Sequence, residues 1–440
     1  MSASGLILSA PSSGAGKTTV TLGLLRALRR RGQEIRSAKS GPDYIDPQFH
    51  AAATGQPCLN LDAWAMSQER IKSYAAGKSP LLIEGAMGLF DGAPPHGAGA
   101  TADLARILDL PVILIVDAKA MSHSVAALVR GFATHSDDVR IAGVILNRVG
   151  SERHVTHLKS ALAPLGFPVL GAIPRSEALT RPSRHLGLVQ AGEMPDLEPF
   201  LEAAADVMAR HIDLEALMAL MQPFDAASAF AGPKHRGLLK GKRIAVAQDA
   251  AFSFVYPHDI ATWRHHGATI LPFSPLANDP VPEADRVYLP GGYPELYAGQ
   301  LAANQIFMQS LKDAAKDTDI YGECGGYMTL GETLIDADGT PHRMAGLLGL
   351  TTSFKDRKLH LGYRRLWGIA GHVLPDTAGL NQRYAGHEFH YASTLDAQGT
   401  PLFQAQTADG VELGQIGLAE GRVAGSFAHI IDVGTFPPLP

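Results

Sequence analysis

The feature that most constrains this chain is Ala10-Pro11-Ser12-Ser13-Gly14-Ala15-Gly16-Lys17-Thr18-Thr19. A short apolar run, Gly5–Ser9, precedes it, and Val20–Arg31 after it has a helical periodicity that Gly32 can end. Strand, small-residue loop and helix in that order predict a phosphate-binding loop. Small residues let backbone N–H groups close around phosphate oxygens, and the helix N-terminus adds partial positive charge. Ser13, Gly14, Ala15, Gly16, Lys17, Thr18 and Thr19 then meet the nucleotide. Lys17 neutralises the β- and γ-phosphates, and the Thr18 hydroxyl reaches Mg²⁺. Pro11 stands where the usual pattern has its first Gly, so the loop is a variant with its Gly-Ala-Gly-Lys-Thr-Thr core intact. A chance Gly-Lys-Thr in a surface turn is the competing reading, and the flanking strand and helix count against it.

The 440 residues suit two or three domains. With 46% hydrophobic and 18% charged residues, the chain reads as an ordinary globular protein. A net charge of −5 without a long basic run argues against sequence-independent nucleic-acid binding. Cys58 and Cys324 are far apart and form no CxxC or Cys/His metal spacing, which predicts reduced thiols. No basic, apolar leader pattern opens the sequence, and no apolar run approaches the roughly 20 residues a membrane helix needs. A cytoplasmic protein with no membrane or nucleic-acid partner is the expectation.

In the first half, Ile35–Lys39, Leu81–Glu84, Pro111–Asp117, Ile141–Asn147 and Val169–Ile173 are short apolar runs without strict alternation. Strands covered on both faces of a parallel sheet read this way. Ala100–Leu108 and Ser122–Thr134 are long enough for crossover helices, so the expected class is doubly wound α/β, with ligands at the strand ends. Two polar clusters fall there. Lys39–Pro47 presents Lys39, Asp43, Tyr44 and Asp46 on a Pro- and Gly-stiffened loop; Glu84–Gly92 presents Glu84 and Asp91. Hard oxygens from several strand ends suit Mg²⁺ held jointly with phosphates. Asn147 suits a contact to the nucleotide base or a capping role equally. A partitioning-type ATPase switch would carry a lysine where Ser12 stands.

The pattern lapses between Met221 and Gly241, which divides the chain into 1–221, a linker at 222–241, and 242–440. A second α/β unit opens with Arg243–Ala247. Its chemical centre is Ile320-Tyr321-Gly322-Glu323-Cys324-Gly325-Gly326, a cysteine version of the nucleophile elbow. The following helix N-terminus is expected to lower the thiol pKa. Gly291 and Gly292 offer oxyanion N–H groups, and His429 offers a base. His387 and His390 read as hydrogen-bonded rather than metal-binding, and Lys355–Arg365 as a solvated basic face or an anion contact.

Together these motifs resemble, over essentially the whole length, the cobyrinic and hydrogenobyrinic acid a,c-diamide synthases of corrinoid biosynthesis. The resemblance implies a dethiobiotin-synthetase-like P-loop domain joined to a class I glutamine amidotransferase (flavodoxin-like) domain. It implies that Cys324 attacks glutamine and that His429 raises its nucleophilicity. Many class I amidotransferases carry a Glu two residues past the His; Ile431 stands there, as this subfamily leads one to expect, and Asp432 is a weak substitute. The implied reaction converts a carboxylate with ATP and Mg²⁺ to an acyl phosphate, which ammonia from glutamine displaces along a shielded path. Thr18, Asp46 and Glu84 are assigned to Mg²⁺ and Lys39, Asp43, Tyr44 and Asp91 to the acceptor or metal. Similarity around Gly346–Arg365 favours hydrogenobyrinate over cobyrinate, with other tetrapyrrole acids as alternatives. A homodimer follows from the resemblance alone. The alternative of a different class is an ATPase switch with a degenerate amidotransferase domain.

Overall fold

The computed structural model describes residues 4–176, 190–225, 239–370 and 382–434, with 179, 183–184, 187–188 and 436. The chain divides into two compact units, Met1–Ala231 and Gly232–Pro440. Of the expected linker, residues 226–238 lie outside the described residues.

The first unit is built on β1 (Ser4–Ser9), β2 (Arg36–Ser40), β3 (Leu59–Leu61), β4 (Leu81–Glu84), β5 (Val112–Asp117), β6 (Ile141–Val149) and β7 (Val169–Pro174). Their order is β3-β2-β4-β1-β5-β6-β7, all parallel, with Gln222–Pro223 added antiparallel beside β1. The unbroken apolar runs are explained by burial on both faces: Val112 to Val116 have no exposure. β1 sits where the order reverses, between β4 and β5, which opens a crevice at the carboxyl ends of the strands. Helix α1 (Lys17–Arg30) starts in that crevice, and Gly32, at φ +76°, follows its end. Gly23 lets α1 approach the helix Leu197–His211, since a Cβ there would lie 2.8 Å from the Ala204 carbonyl oxygen. Arg26 pins the same pair of helices through Glu198 at 2.9 Å and Glu202 at 2.8 Å.

The second unit carries a ten-stranded sheet. Its parallel part runs Thr269–Phe273, Arg243–Ala247, Arg286–Leu289, Asp319–Glu323, Val423–Ser426. Antiparallel strands continue it, ending with Arg383–His390 and His429–Val433. The doubly wound pattern expected of this unit therefore describes the parallel part, to which an antiparallel extension is joined. A separate four-stranded sheet is formed by Thr333–Ile335, Pro341–Arg343, Gly349–Ser353 and Ser393–Gln398. Among the described residues, no helix is long and apolar enough to cross a membrane.

Candidate active sites

The loop between β1 and α1 turns through Gly14 at φ +78° and Gly16 at φ +90°, conformations that favour glycine. A Cβ on Gly16 would also lie 2.4 Å from Asn147 Nδ2. Asn147, in β6, donates that amide to the Ala15 carbonyl at 2.8 Å. Arg148 beside it donates to the Gly14 carbonyl at 2.8 Å and to Asp117 at 2.6 Å. Both side chains thus brace the loop from β6; in this structure Asn147 has the backbone-satisfying role. Lys17 Nζ donates to the carbonyls of Met87 and Ser12, and burial followed by the nearby Lys39 charge lowers its pKa.

Lys39 and Glu84 are register partners on β2 and β4, so their side chains meet at the strand ends. Lys39 Nζ lies 2.7 Å from both Glu84 Oε1 and Asp46 Oδ2. The Thr18 hydroxyl is 2.6 Å from the same Glu84 oxygen and 3.1 Å from the same Asp46 oxygen. Glu84 is fully buried; burial alone would raise its pKa, but Lys39 and a 2.7 Å bond from His50 hold it well below the usual carboxylate range. Asp43 accepts the N–H groups of Ile45 and Asp46 at 2.8 and 3.0 Å, shaping the start of α2 (Asp46–Thr54). Burial and the Asp46 charge push its pKa up to about 6.

A cleft of about 590 Å³ opens over Lys17, Thr18, Lys39, Asp43, Asp46 and Glu84. Tyr44, 3% exposed, and Asp91, whose Oδ2 accepts the Gly88 N–H at 2.9 Å, do not line it. Among the described residues no three His, Cys, Asp or Glu side chains converge as a metal cage. Thr18, Asp46 and Glu84 instead offer one hydroxyl and two carboxylates, a donor set that fits Mg²⁺ completed by phosphates and water. The sequence reading did not single out His50, three residues beyond the Lys39–Pro47 loop, in α2.

In the second unit Cys324 joins the strand Asp319–Glu323 to the helix Gly325–Leu330 at φ +46°, ψ −100°. A non-glycine residue there is strained, as a nucleophile elbow requires. Its N–H donates to the Ser426 carbonyl at 2.8 Å. A Cβ placed on Gly291 would meet His429 Cε1 at 2.2 Å, His429 Nε2 at 2.8 Å and Cys324 Cβ at 3.2 Å. Three separate segments thus bring Gly291, Cys324 and His429 to one point, and only a residue without a side chain fits between them. Gly292 N lies 3.1 Å from the corresponding point on Gly325, so the Gly291–Gly292 turn rests on the elbow.

The Gly325 N–H that opens the helix lowers the thiol pKa as expected, but the net shift is upward. Cys324 is 2% exposed, and burial, then the Glu295 charge, pushes its thiol up. His429, fully buried, is pushed down to about 3 by burial and then by His387 and His390. His387 is its cross-strand register partner, and His390 stacks on Phe427 with centroids 4.0 Å apart. In the basic stretch Arg364 is committed to Glu388, with Nε at 2.8 Å and Nη2 at 2.7 Å.

Asp432 accepts the N–H of neighbouring Val433 at 2.5 Å. The acid against His429 is Glu323, with Oε2 3.6 Å from Nδ1. Glu323 has no exposure; Oε1 accepts the Ile430 N–H at 3.0 Å and Oε2 accepts the Tyr288 hydroxyl at 2.7 Å. Burial raises its pKa to about 8 against those two bonds. A carboxylate closing the strand Ile320-Tyr321-Gly322-Glu323, directly before the nucleophile, was the available sequence signal.

Comparison with known families agrees with this division of labour. Residues 6–189 match the family described as a CobQ/CobB/MinD/ParA nucleotide binding domain, and residues 243–434 match the CobB/CobQ-like glutamine amidotransferase domain. The class is a nucleotide-binding domain joined in one chain to a glutamine amidotransferase domain. Within it, the hydrogenobyrinate a,c-diamide synthase of Brucella abortus is 54% identical, covering 97% of this chain and 98% of its own length. The synthase of that name from Sinorhizobium sp is 53% identical over 98% of this chain and 99% of its own length. That of Rhodobacter capsulatus is 50% identical over 97% and 98%. The chain belongs to the hydrogenobyrinate a,c-diamide synthase family.

Proposed function

We propose that this chain uses ATP and glutamine to convert the a and c acetates of hydrogenobyrinate to amides, in cobalamin biosynthesis. What carries the reading is the meeting of Gly291, Cys324 and His429 at one point in a chain that also holds an intact phosphate loop. In the glutaminase half, His429 Nε2 takes the Cys324 proton and the thiolate attacks the glutamine carboxamide carbon. The Gly291–Gly292 turn supplies N–H groups to the developing oxyanion. Nε2 returns its proton to the leaving nitrogen, ammonia departs, and water hydrolyses the thioester to glutamate and free thiol.

In the other half, Lys17 neutralises the terminal phosphates while an acetate oxygen attacks the γ-phosphorus, giving acyl phosphate and ADP. Ammonia attacks the acyl carbon and phosphate leaves. Thr18, Asp46 and Glu84 would hold Mg²⁺, which offsets phosphate charge. Lys39 holds the two carboxylates together, and Asp43, with its raised pKa, is suited to receive a proton near the acceptor. Residues 1–221 act as the amidoligase and 242–440 as the glutaminase, with ammonia passing between them shielded from protonation. A cytoplasmic homodimer belongs to the same reading.

Incubation with ATP, Mg²⁺ and glutamine, offering hydrogenobyrinate and cobyrinate separately and following product mass, tests it. Two amidations of hydrogenobyrinate are expected. A preference for cobyrinate moves the chain to a cobalt-containing acceptor, and no amidation of either, with glutaminase activity intact, makes the acceptor wrong.

A further inference from the structure

We infer that Glu323 positions His429 for thiol activation, taking the part that a Glu two residues past the His plays in many class I amidotransferases. The inference rests on the glutaminase reading of Cys324 and His429 above.

Three independent contacts define the arrangement. Glu323 Oε2 faces His429 Nδ1 at 3.6 Å. Oε1 accepts the N–H of Ile430, the residue that follows His429, at 3.0 Å. The carboxylate is also covalently next to the nucleophile, so one buried side chain ties the strand bearing the thiol to the strand bearing the base. Tyr288, donating to Oε2 at 2.7 Å, fixes the carboxylate from a third strand, Arg286–Leu289.

The inferred role requires one tautomer. With Nδ1–H directed at Glu323, the lone pair of Nε2 is left on the side of Gly291 and Cys324, where the Sγ proton must go. When that proton arrives the imidazole becomes a buried cation, which in turn favours the charged form of Glu323 against the burial that raises its pKa to about 8, and the two charges offset each other. His387 and His390 disfavour the cation, and Glu295, Glu323 and Glu388 all disfavour the thiolate; what sets Glu323 apart is that its carboxylate lies against His429 Nδ1. Glu323 is therefore the acid placed to support the base. Ile431 leaves the usual position without a carboxylate, yet a buried acid still reaches the ring, from the strand that leads into the elbow.

The test compares Glu323→Gln, Glu323→Asp and Cys324→Ala, each read as the ratio of glutamine-dependent to ammonia-dependent turnover. Glu323→Gln is expected to lower kcat for glutamine hydrolysis roughly 10²- to 10⁴-fold with KM changed less than about threefold, as when the acid of a catalytic triad loses its charge. The acid limb of its kcat/KM profile moves to lower pH, because His429 without the carboxylate is harder to protonate. Glu323→Asp restores part of the rate. A wild-type turnover ratio in Glu323→Gln, or an unmoved acid limb, overturns the inference. Should Glu323→Gln not fold, Tyr288→Phe removes one bond to the carboxylate, and a several-fold drop in glutaminase kcat is expected; no drop overturns the inference. Cys324→Ala that keeps glutamine-dependent turnover would instead sink the glutaminase reading itself.

Discussion

At the phosphate loop, Lys39 sits 2.7 Å from the carboxylates of both Asp46 and Glu84, and opposite charges are buried together. Around the elbow, Cys324, His429 and Glu323 are each at most 2% exposed, and burial drives each toward its uncharged form. The difference follows from the charge each site must handle. A nucleotide triphosphate brings several negative charges, so its site needs a standing arrangement of cations and cation-binding oxygens. Glutamine's carboxamide is neutral, and the charges of its hydrolysis exist only during the reaction. A neutral resting thiol is also less open to oxidation than a standing thiolate.

The contrast can be broken most sharply by disabling each centre separately. Cys324→Ala should lower glutamine-dependent amidation at least about 10³-fold while amidation from added ammonia continues. Lys17→Ala should lower both by roughly 10²- to 10³-fold, because either nitrogen source needs the acyl phosphate. A Lys17→Ala protein that retained ammonia-dependent turnover would contradict the assignment of phosphate activation to the loop.

A second prediction concerns stability. Lys39→Met leaves Asp46 and Glu84 facing each other without their shared cation, and breaking a buried pair this way costs about 3–5 kcal/mol. Denaturant unfolding should show that loss in the first unit's transition; an unchanged midpoint would mean the carboxylates are satisfied without Lys39.

The smallest effect lies near the elbow, in Glu295. Its Oε2 is buried without a hydrogen-bond partner, and burial pushes its pKa up to about 8. The folded pKa therefore exceeds the unfolded value of about 4.3, so the group's contribution to stability is fully present below that value and lost as pH rises through about 8. Glu295→Gln cannot titrate, and its unfolding midpoint should decline less over that interval than the wild type's. Parallel curves for the two proteins would count against the buried, protonated state.

Much of the molecule was legible because its signals are local. The apolar run before Ala10, the glycines of the loop and the Gly-Lys-Thr core each act through neighbours in the chain, and β1, the loop and α1 lie where these residues predict. The elbow at Cys324 is local in the same sense: Gly325 and Gly326 allow the tight turn whatever surrounds it. Thr18, Asp46 and Glu84 were also recoverable as a set, since parallel strands bring their carboxyl ends to one edge. Glu323 was not, because its part depends on the strand His429–Val433 placing the Ile430 N–H against it. His50 needed α2 folded beside β4 before its ring could reach Glu84.

The amino-acid sequence by itself determined which chemical groups this protein owns and which turns and strands carry them, since those depend on covalent neighbours, steric size and hydrophobic period. Only the tertiary structure decided their states. It made Glu84 a persistent anion and Cys324 a resting thiol, and it placed Glu323 beside His429. Desolvation and Coulomb interaction depend on which groups the fold brings within a few ångströms, and residues far apart in the chain supply most of them.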